Sequence, residues 1–457
     1  MNIERHFTVC VVGLGKIGLP LAVQYAQSGM TVHGCDIDEG LVNRISAGEI
    51  LLPNEAGLDE GLQEALRSGR LDVSTDVSTS VASSDIVVVV VPLLVSPDGR
   101  PDFRSLDSAT RSIAAGLAGK TLVCYETTLP VGTTRNRFAP VLRADRLDGT
   151  ILVAFSPERV YSGRIFADLR KYPKLVGGID RSSTNAALDF YASALQFDER
   201  TDLARPNGVW DLGTSEAAEL AKLAETTYRD VNIGFANELA RYADSLGVDI
   251  DAVIDACNSQ PFSQILRPGI SVGGHCIPVY PELYLSTNPS AEIPRAARRA
   301  NLAMPEHVVN RLSGEIGDLR GLEIVVLGIA YRGGVRETAF SGAFPLVAML
   351  QTKGAIVRVH DPLYSSDELR LYGFEPWVPG SPATVVVLHT DHTEYGEYGR
   401  DDLGGASLVF DGRGVLNREI LTRSGVTVLG IGIPNARPTA PDLPTGSSLL
   451  CETTTTP

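Results

Sequence analysis

The stretch VCVVGLGKIG, Val9–Gly18, leaves few folds open. An apolar run without alternation belongs to a strand buried on both faces, as in a parallel sheet. It leads straight into Gly13, Gly15 and Gly18, spaced G-x-G-x-x-G, and then into a helical pattern reaching about residue 29. The first glycine permits a tight turn, the second lets backbone approach a pyrophosphate, and the third lets helix pack on strand. Lys16 and Ile17 complete the turn, and the free N–H groups of the helix start would face the phosphates. The next strand, MTVHGCD, ends in Asp36, where a carboxylate would accept bonds from a ribose diol and repel a 2′-phosphate. The expected cofactor is therefore NAD.

Further apolar runs at 83–92, 120–128 and 150–158, separated by helix-length segments, extend this into a doubly wound α/β domain. Residues 211–246 differ: no proline interrupts them, Thr214 or Ser215 offers a start cap, and Gly247 offers a stop. A helix of about 45 Å over this stretch is a spine or a dimer interface, and a second helix is expected near 249–258. From about 320 the opening pattern returns. LEIVVLGIAYRGG repeats strand and glycine turn, and GAIVRVHDP repeats a strand ending in an acid, Asp361. This second turn lacks the full glycine spacing, so no second NAD is assigned there. The expected architecture is two Rossmann-like doubly wound domains joined by a long central helix. Residues 1–205 form the NAD-binding domain, 206–312 a central helical and dimerisation region, 313–434 the second Rossmann-like domain, and 435–457 a disordered Pro/Thr/Ser tail.

Composition narrows the partners. At 457 residues the chain is too long for one core. Its net charge of −15 disfavours nucleic acid and anionic membrane, and no apolar run is long enough to span a bilayer. The N-terminus has no signal-peptide layout. Six scattered cysteines make neither a disulfide framework nor a metal site, which points to a reducing, cytoplasmic compartment.

One cysteine stands apart. In GISVGGHCIPVYPELYL, Cys276 follows Gly273, Gly274 and His275 and precedes Pro278. The glycines would leave backbone room for a ligand, and His275 with the turn's N–H groups would stabilise a thiolate. The competing reading, a small buried hydrophobe, fits the other cysteines better. A thiol beside a nicotinamide suits aldehyde oxidation through a thiohemiacetal and thioester.

These segments resemble the nucleotide-sugar 6-dehydrogenases, the UDP-glucose/GDP-mannose dehydrogenase family, and within it the UDP-N-acetyl-hexosamine branch. The matches are VVGLGKIGLPLA, ETTLPVGTT (126–134), SPERVYSGR (156–164), KYPKLVGG (171–178), AAELAKLAETTYRDVNIGFANELAR (217–241), RPGISVGGHCIPV (267–279) and LGIAYRGGVRETAFSG with HDP. The resemblance implies oxidation of a UDP-sugar at C6, alcohol to aldehyde to uronic acid, with two NAD, of the kind that feeds polysaccharide biosynthesis. It casts Cys276 as nucleophile, Lys222 as oxyanion stabiliser, Glu158 as the carboxylate of thioester hydrolysis, and Thr128 as the hydroxyl that positions water and substrate. It makes 313–434 the nucleotide-sugar-binding domain and places Arg332 there, at the UDP phosphates; Tyr331 beside it is a candidate packing surface for the nucleotide or the sugar. Arg336 goes to the cofactor cleft. Arg267, in the glycine loop, is a further phosphate candidate because its forked donors suit that group. Read without the resemblance, Lys222 is a helix lysine sharing one face with Thr226 and Arg229, Glu158 a strand-end N-cap or an ion-pair partner of Arg159, Thr128 a turn hydroxyl, and each arginine a surface charge.

Three positions depart from the family pattern. Tyr280 stands where an aspartate is usual, Thr226 where an asparagine is usual, and Leu93 where a hydroxyl is usual. A tyrosine, with a reference pKa of about 10, is no carboxylate at neutral pH; Tyr280 and Thr226 remain candidates for substrate contact. Two other outcomes stay open: oxidation that stops at the aldehyde or acts at another carbon, and a non-catalytic nucleotide-sugar binder. A homodimer is expected, since the long helix would otherwise expose an apolar face.

Overall fold

The computed structural model describes residues 6–49, 52, 55–96, 99–144, 150–161 and 163–438. The described chain forms two compact units. One comprises residues up to Arg229 together with Val279–Arg295; the other comprises Asp230–Pro278 and the residues from Ala296 on. The stretch 206–312 contributes to both. Most of the segment expected as a tail lies outside the described residues, but Ala436 exchanges both backbone hydrogen bonds with Val428, at 2.8 and 2.9 Å.

The first unit is built on an eight-stranded sheet ordered Val209–Thr214, Lys174–Gly178, Ile151–Phe155, Thr121–Tyr125, Ile86–Val89, Thr8–Val12, Thr31–Cys35, Leu71–Ser74. Successive residues of its strands feed opposite faces: Val9 and Val11 join one apolar cluster, Cys10 and Val12 another. That is why the strands read as unbroken apolar runs. Burying each such valine contributes about 1.5–3 kcal/mol. Most of the sheet is parallel, as expected, but Ile151–Phe155 and Lys174–Gly178 pair antiparallel. Among the described residues, the seven-residue Ile165–Lys171 is the only helix between them. At about 10 Å it does not return the chain along the sheet as a parallel crossover would.

The spine helix spans Ser215–Leu246, 32 residues. It begins just after Thr214, one of the two expected start caps, whose hydroxyl accepts from Ala217 N–H at 3.2 Å, and it ends at the expected stop, Gly247. Ahead of it Val209–Thr214 pairs as a strand with Lys174–Gly178, and Gly213 takes φ 81°. The helix Ile250–Asn258 follows, capped by Asp249.

The second unit carries a five-stranded parallel sheet ordered Ile356–His360, Glu323–Leu327, Val385–Leu388, Leu408–Asp411, Thr427–Gly430. It too is covered on both faces, with Ile324 and Val326 in one cluster and Val325 and Leu327 in the other. The repeat seen in sequence extends to hydrogen bonds. Gly13 N–H donates to Cys35 O at 2.7 Å, and Gly328 N–H donates to His360 O at 2.6 Å. Asp36 accepts from Leu14 N–H at 2.8 Å, and Asp361 accepts from Ile329 N–H at 2.8 Å. In each unit the acid at the end of the second strand braces the glycine turn of the first.

Candidate active site

In the first unit the glycine turn has the form a dinucleotide requires. Gly13 sits at φ 97°, and a Cβ on Gly18 would fall 1.7 Å from Gly13 O, so neither tolerates a side chain. Gly15 is different: nothing lies within 4 Å of where its Cβ would be. A side chain there would fill open space at the start of the helix Gly18–Gln27, whose N-cap residue makes no side-chain cap bond. That open cradle, with exposed Lys16 and half-buried Ile17 beside it, fits a pyrophosphate. Asp36 is half-buried and spends one oxygen on Leu14 N–H and the other on Asp38 N–H at 3.1 Å. Each oxygen keeps a further lone pair for a ribose hydroxyl. Asp361 in the second unit is buried and bonded to His392 as well, so its turn offers no such acceptor to a ligand. Leu93 packs against the apolar cluster of the sheet's second face.

Beyond the ends of the neighbouring strands lie Thr128, Glu158 and Lys222. Thr128 is buried in the turn after Thr121–Tyr125. That turn is held by Glu219 of the long helix, which accepts from Gly132 N–H at 2.5 Å, Thr134 N–H at 2.9 Å and the Thr134 hydroxyl at 2.7 Å. Burial outweighs these donors and pushes the Glu219 carboxyl up to about 7. Glu158 follows strand Ile151–Phe155. Its Oε2 accepts from Lys174 Nζ at 2.8 Å, while its Oε1 accepts from Arg159 N–H at 2.6 Å and Val160 N–H at 3.2 Å. Lys174 also donates to Glu126 Oε2 at 2.8 Å. Of the two readings of Glu158 made without the resemblance, an N-cap or an ion pair with Arg159, the ion pair is not made: the Arg159 guanidinium goes to Glu225, at 2.9 Å.

Lys222 is nearly buried on the long helix. Its Nζ stands 3.4 Å from Glu225 Oε1 and 5.8 Å from the centroid of the Tyr280 ring. The residue that departs from the family pattern therefore presents an aromatic face to the lysine, a favourable placement for a cation. Thr226 turns its hydroxyl to Lys222 O at 3.1 Å, a bond within its own helix.

The second unit holds Cys276. Among the five described cysteines it alone is exposed. Its loop is not the open cradle expected from Gly273 and Gly274. A Cβ on Gly273 would fall 2.5 Å from Tyr331 Cβ, and one on Gly274 would meet the Tyr331 ring at 3.2 Å. Gly274, at φ 93°, donates its N–H to Ala339 O at 2.8 Å. The glycines thus serve close packing on Tyr331, which fixes the loop. His275 is engaged with Glu337, Nε2 to Oε2 3.2 Å, rather than turned to the thiol.

The arginines divide. Arg332 is exposed, its guanidinium 5.9 Å from the Tyr331 ring centroid. Arg267 pairs with Asp251 at 3.0 Å and with Asp255. Arg336 pairs with Glu368, donates to Leu363 O at 2.9 Å and lies over the Tyr364 ring. Sequence reading missed Arg413. It follows strand Leu408–Asp411, bonds His389 O at 3.1 Å and lines a cleft of about 310 Å³ with Arg267, Asp251 and Gly412. Burial lowers its pKa, only partly offset by Asp391. The signal was there: like Arg332, it lies in a glycine-containing turn just beyond a strand.

Comparison with known proteins gives three consecutive matches. Residues 7–195 match the NAD-binding domain, 216–304 the central domain and 325–418 the UDP-binding domain of the UDP-glucose/GDP-mannose dehydrogenase family. The UDP-N-acetyl-D-mannosamine dehydrogenase of Methanococcus maripaludis is 34% identical over 93% of this chain and 96% of its own length. The solved structure of the Pyrococcus horikoshii UDP-D-ManNAc dehydrogenase matches with a TM-score of 0.79 and 32% identity, covering 93% of this chain and 99% of that one. A UDP-glucose dehydrogenase from Pyrobaculum islandicum matches with a TM-score of 0.80 and 26% identity, covering 95% and 99%.

Proposed function

The chain belongs to the UDP-glucose/GDP-mannose dehydrogenase family, and on that footing we propose that it oxidises the C6 alcohol of a UDP-sugar to the carboxylate, with UDP-N-acetyl-D-mannosamine the first candidate substrate. It is an NAD-dependent oxidoreductase. NAD, when bound, would supply the hydride acceptor for each of the two oxidations. Gly13, Gly15, Lys16, Ile17 and Gly18 hold its phosphates and Asp36 its ribose. The Cys276 thiolate adds to the C6 aldehyde, giving a thiohemiacetal whose oxidation leaves a thioester. Lys222 stabilises the oxyanion. Glu158 takes a proton from the attacking water, which Thr128 positions. The observation that carries this reading is the exposed, unbridged Cys276 in a chain whose other described cysteines are wholly or partly buried.

Arg332 and Arg267 are the proposed phosphate contacts, Tyr331 the nucleotide's packing surface, and Arg336 a contact on the cofactor side. Tyr280 and Thr226 remain substrate candidates. Domain roles follow the expected division, with NAD on 1–205, the dimerisation region at 206–312 and UDP on 313–434. A second copy of the chain is the proposed partner, because Tyr228, Phe235 and Tyr242 form an exposed stripe at seven-residue spacing on the long helix. No helix among the described residues is long and apolar enough to cross a membrane; a thiol nucleophile suits the reducing cytoplasm.

Incubating the protein with NAD and a panel of UDP-sugars tests this. Two NADH per sugar and a carboxylate product are expected. One NADH and an aldehyde would instead favour the second reading, a truncated oxidation, which the absence of a carboxylate at Tyr280 motivates.

A further inference from the structure

Behind Glu158 the first unit holds a buried chain of ionisable groups that the proposed reaction does not use. Lys174 Nζ stands 2.8 Å from Glu126 Oε2 and 2.8 Å from Glu158 Oε2. The other oxygen of Glu126 accepts from Tyr191 at 2.6 Å and Tyr25 at 3.3 Å. Lys174 lies over the Tyr191 ring, 4.9 Å from its centroid. Strand Thr121–Tyr125 leads to Glu126, Ile151–Phe155 leads to Glu158, Lys174 opens Lys174–Gly178, and the tyrosines come from the helices Gly18–Gln27 and Arg181–Ala194. The side chain of Glu126 is 0% exposed, that of Lys174 4%, and that of Glu158 10%, so the chain runs outward and Glu158 is its outer end.

Two carboxylates share one ammonium here. A buried ion pair is weak evidence for stability, because desolvation offsets the attraction. A third charge makes the arrangement less favourable still unless one carboxyl keeps its proton. Which one does so follows from the partners. Glu158 has two backbone N–H donors on the oxygen that Lys174 leaves free; Glu126 has two phenols and is fully buried. We propose that Lys174 and Glu126 are positioning residues for Glu158. Lys174 fixes the orientation and ionised state of the Glu158 carboxylate, and Glu126 takes up and releases the proton that sets how much of the Lys174 charge Glu158 feels.

The electrostatics agree in direction. Burial pushes the Glu126 carboxyl up to about 7 against the pull of Lys174. Burial would also raise Glu158, but Lys174 and the Arg159 N–H hold it below the usual carboxylate range. The titratable groups facing Glu126 are Lys174, Glu158, Tyr191, Tyr25 and Cys124; burial raises the last three, so at neutral pH they stay uncharged. Below neutrality Glu126 is protonated and Lys174 serves Glu158 alone. Above it Glu126 ionises, competes for Lys174, and leaves Glu158 more basic.

The inference rests on the reading of Glu158 as the base of thioester hydrolysis. In that step the water oxygen bonds to the acyl carbon, the C–S bond breaks and the Cys276 thiolate leaves. One water proton passes to Glu158, and the product acid sheds the other. Removing Lys174 therefore slows release of the acid and not the two hydride transfers that precede it. In Lys174→Met we expect turnover to fall about 100-fold, within the usual range for general-base catalysis, with KM within about 3-fold. A burst of two NADH per site remains, and the sugar acyl group is trapped on Cys276 as added protein mass. Lys174→Arg restores release, and Glu126→Gln loses the rise in release rate across pH 6–8. A Lys174→Met variant that releases acid at the wild-type rate, or loses burst and release equally, overturns the proposal, as does an unaltered pH rise in Glu126→Gln. A wild-type protein that makes no uronate overturns the functional reading instead. Infrared spectra of glutamate-labelled protein still decide the inference then. A protonated carboxyl band should titrate near neutrality in the wild type, vanish in Glu126→Gln, and be joined in Lys174→Met by a band that Glu158→Gln removes; its failure to appear overturns the proposal.

Discussion

Cys276 owes its exposure to packing around it. Gly273 and Gly274 lie against Tyr331, and the next residues, His275 and Cys276, project from a loop held by the Gly274–Ala339 bond. Under the proposed chemistry Cys276→Ser loses uronate production by on the order of 10³-fold or more, since a hydroxyl forms no thioester. The check is product mass beside an unchanged melting temperature. Tyr280 stands at the same scale, its ring centroid 5.8 Å from Lys222 Nζ. A ring face near an ammonium contributes about 0.5–2 kcal/mol, more as the site is desolvated. Tyr280→Phe, which keeps the ring, is expected to stay within about 2-fold of wild-type turnover, and Tyr280→Leu to lose about 2- to 30-fold, the same range converted. Equal rates for Phe and Leu would show that the ring face is not what matters. Tyr280→Asp places a carboxylate beside Lys222, and its NADH count tells whether the missing acid limits the second oxidation.

At the scale of elements, the glycine turn separates folding from binding. Gly18→Ala puts a methyl 1.7 Å from Gly13 O, and strand and helix must part. Gly15→Ala meets no protein atom within 4 Å. The expected outcome is a large loss of thermal stability in the first variant, and a near-wild-type melt with NAD affinity weakened about 10-fold or more in the second, because a methyl intrudes where backbone meets pyrophosphate. Paired melting curves and NAD titrations read both. The join between the long helix and the turn after Thr121–Tyr125 carries a pH signature. Glu219 ionises near 4.5 when unfolded and about 7 when folded. Between these values the folded state binds the extra proton, so this group's contribution to stability falls as pH rises from about 4.5 to 7 and is then constant. In Glu219→Gln that fall in melting temperature is expected to be smaller than in the wild type over the same window. These devices differed in how readable they were. The glycine turn and Asp36 were legible because their residues are close in sequence and each has one steric job. The clasp of Glu219 on Thr134 was not, since nothing local tells a helix glutamate which distant turn it will cap. Glu126 and Lys174 were hidden for the same reason: both lay inside recognised segments, but their pairing depends on which strands become neighbours.

At the scale of the whole molecule, the two sheets were legible from runs such as Val87–Val89 and Ile324–Leu327, because a strand buried on both faces admits little else. The antiparallel pairing of Ile151–Phe155 with Lys174–Gly178 was not, since strand direction depends on how far the intervening chain travels. The same long-range logic governs the face of the long helix. Its first half belongs to one unit and its second half to the other, and it carries Tyr228, Phe235 and Tyr242 at 58%, 53% and 63% exposure. Leu246 adds 56% at its end. A seven-residue apolar repeat marks one stripe of a helix, and left to water it costs what burying it against a second copy would recover. An acidic chain at −15 repels its own copies, so salt should favour association by screening that repulsion while leaving apolar contact intact. Light scattering on the wild type is expected to give twice the mass of a 457-residue chain, more firmly so at higher salt. Phe235→Asp, which places a charge mid-stripe, is expected to shift the population to monomer with little change in the fold. If Phe235→Asp keeps the wild-type mass at every protein concentration, the stripe is not the contact and the exposed aromatics need another explanation.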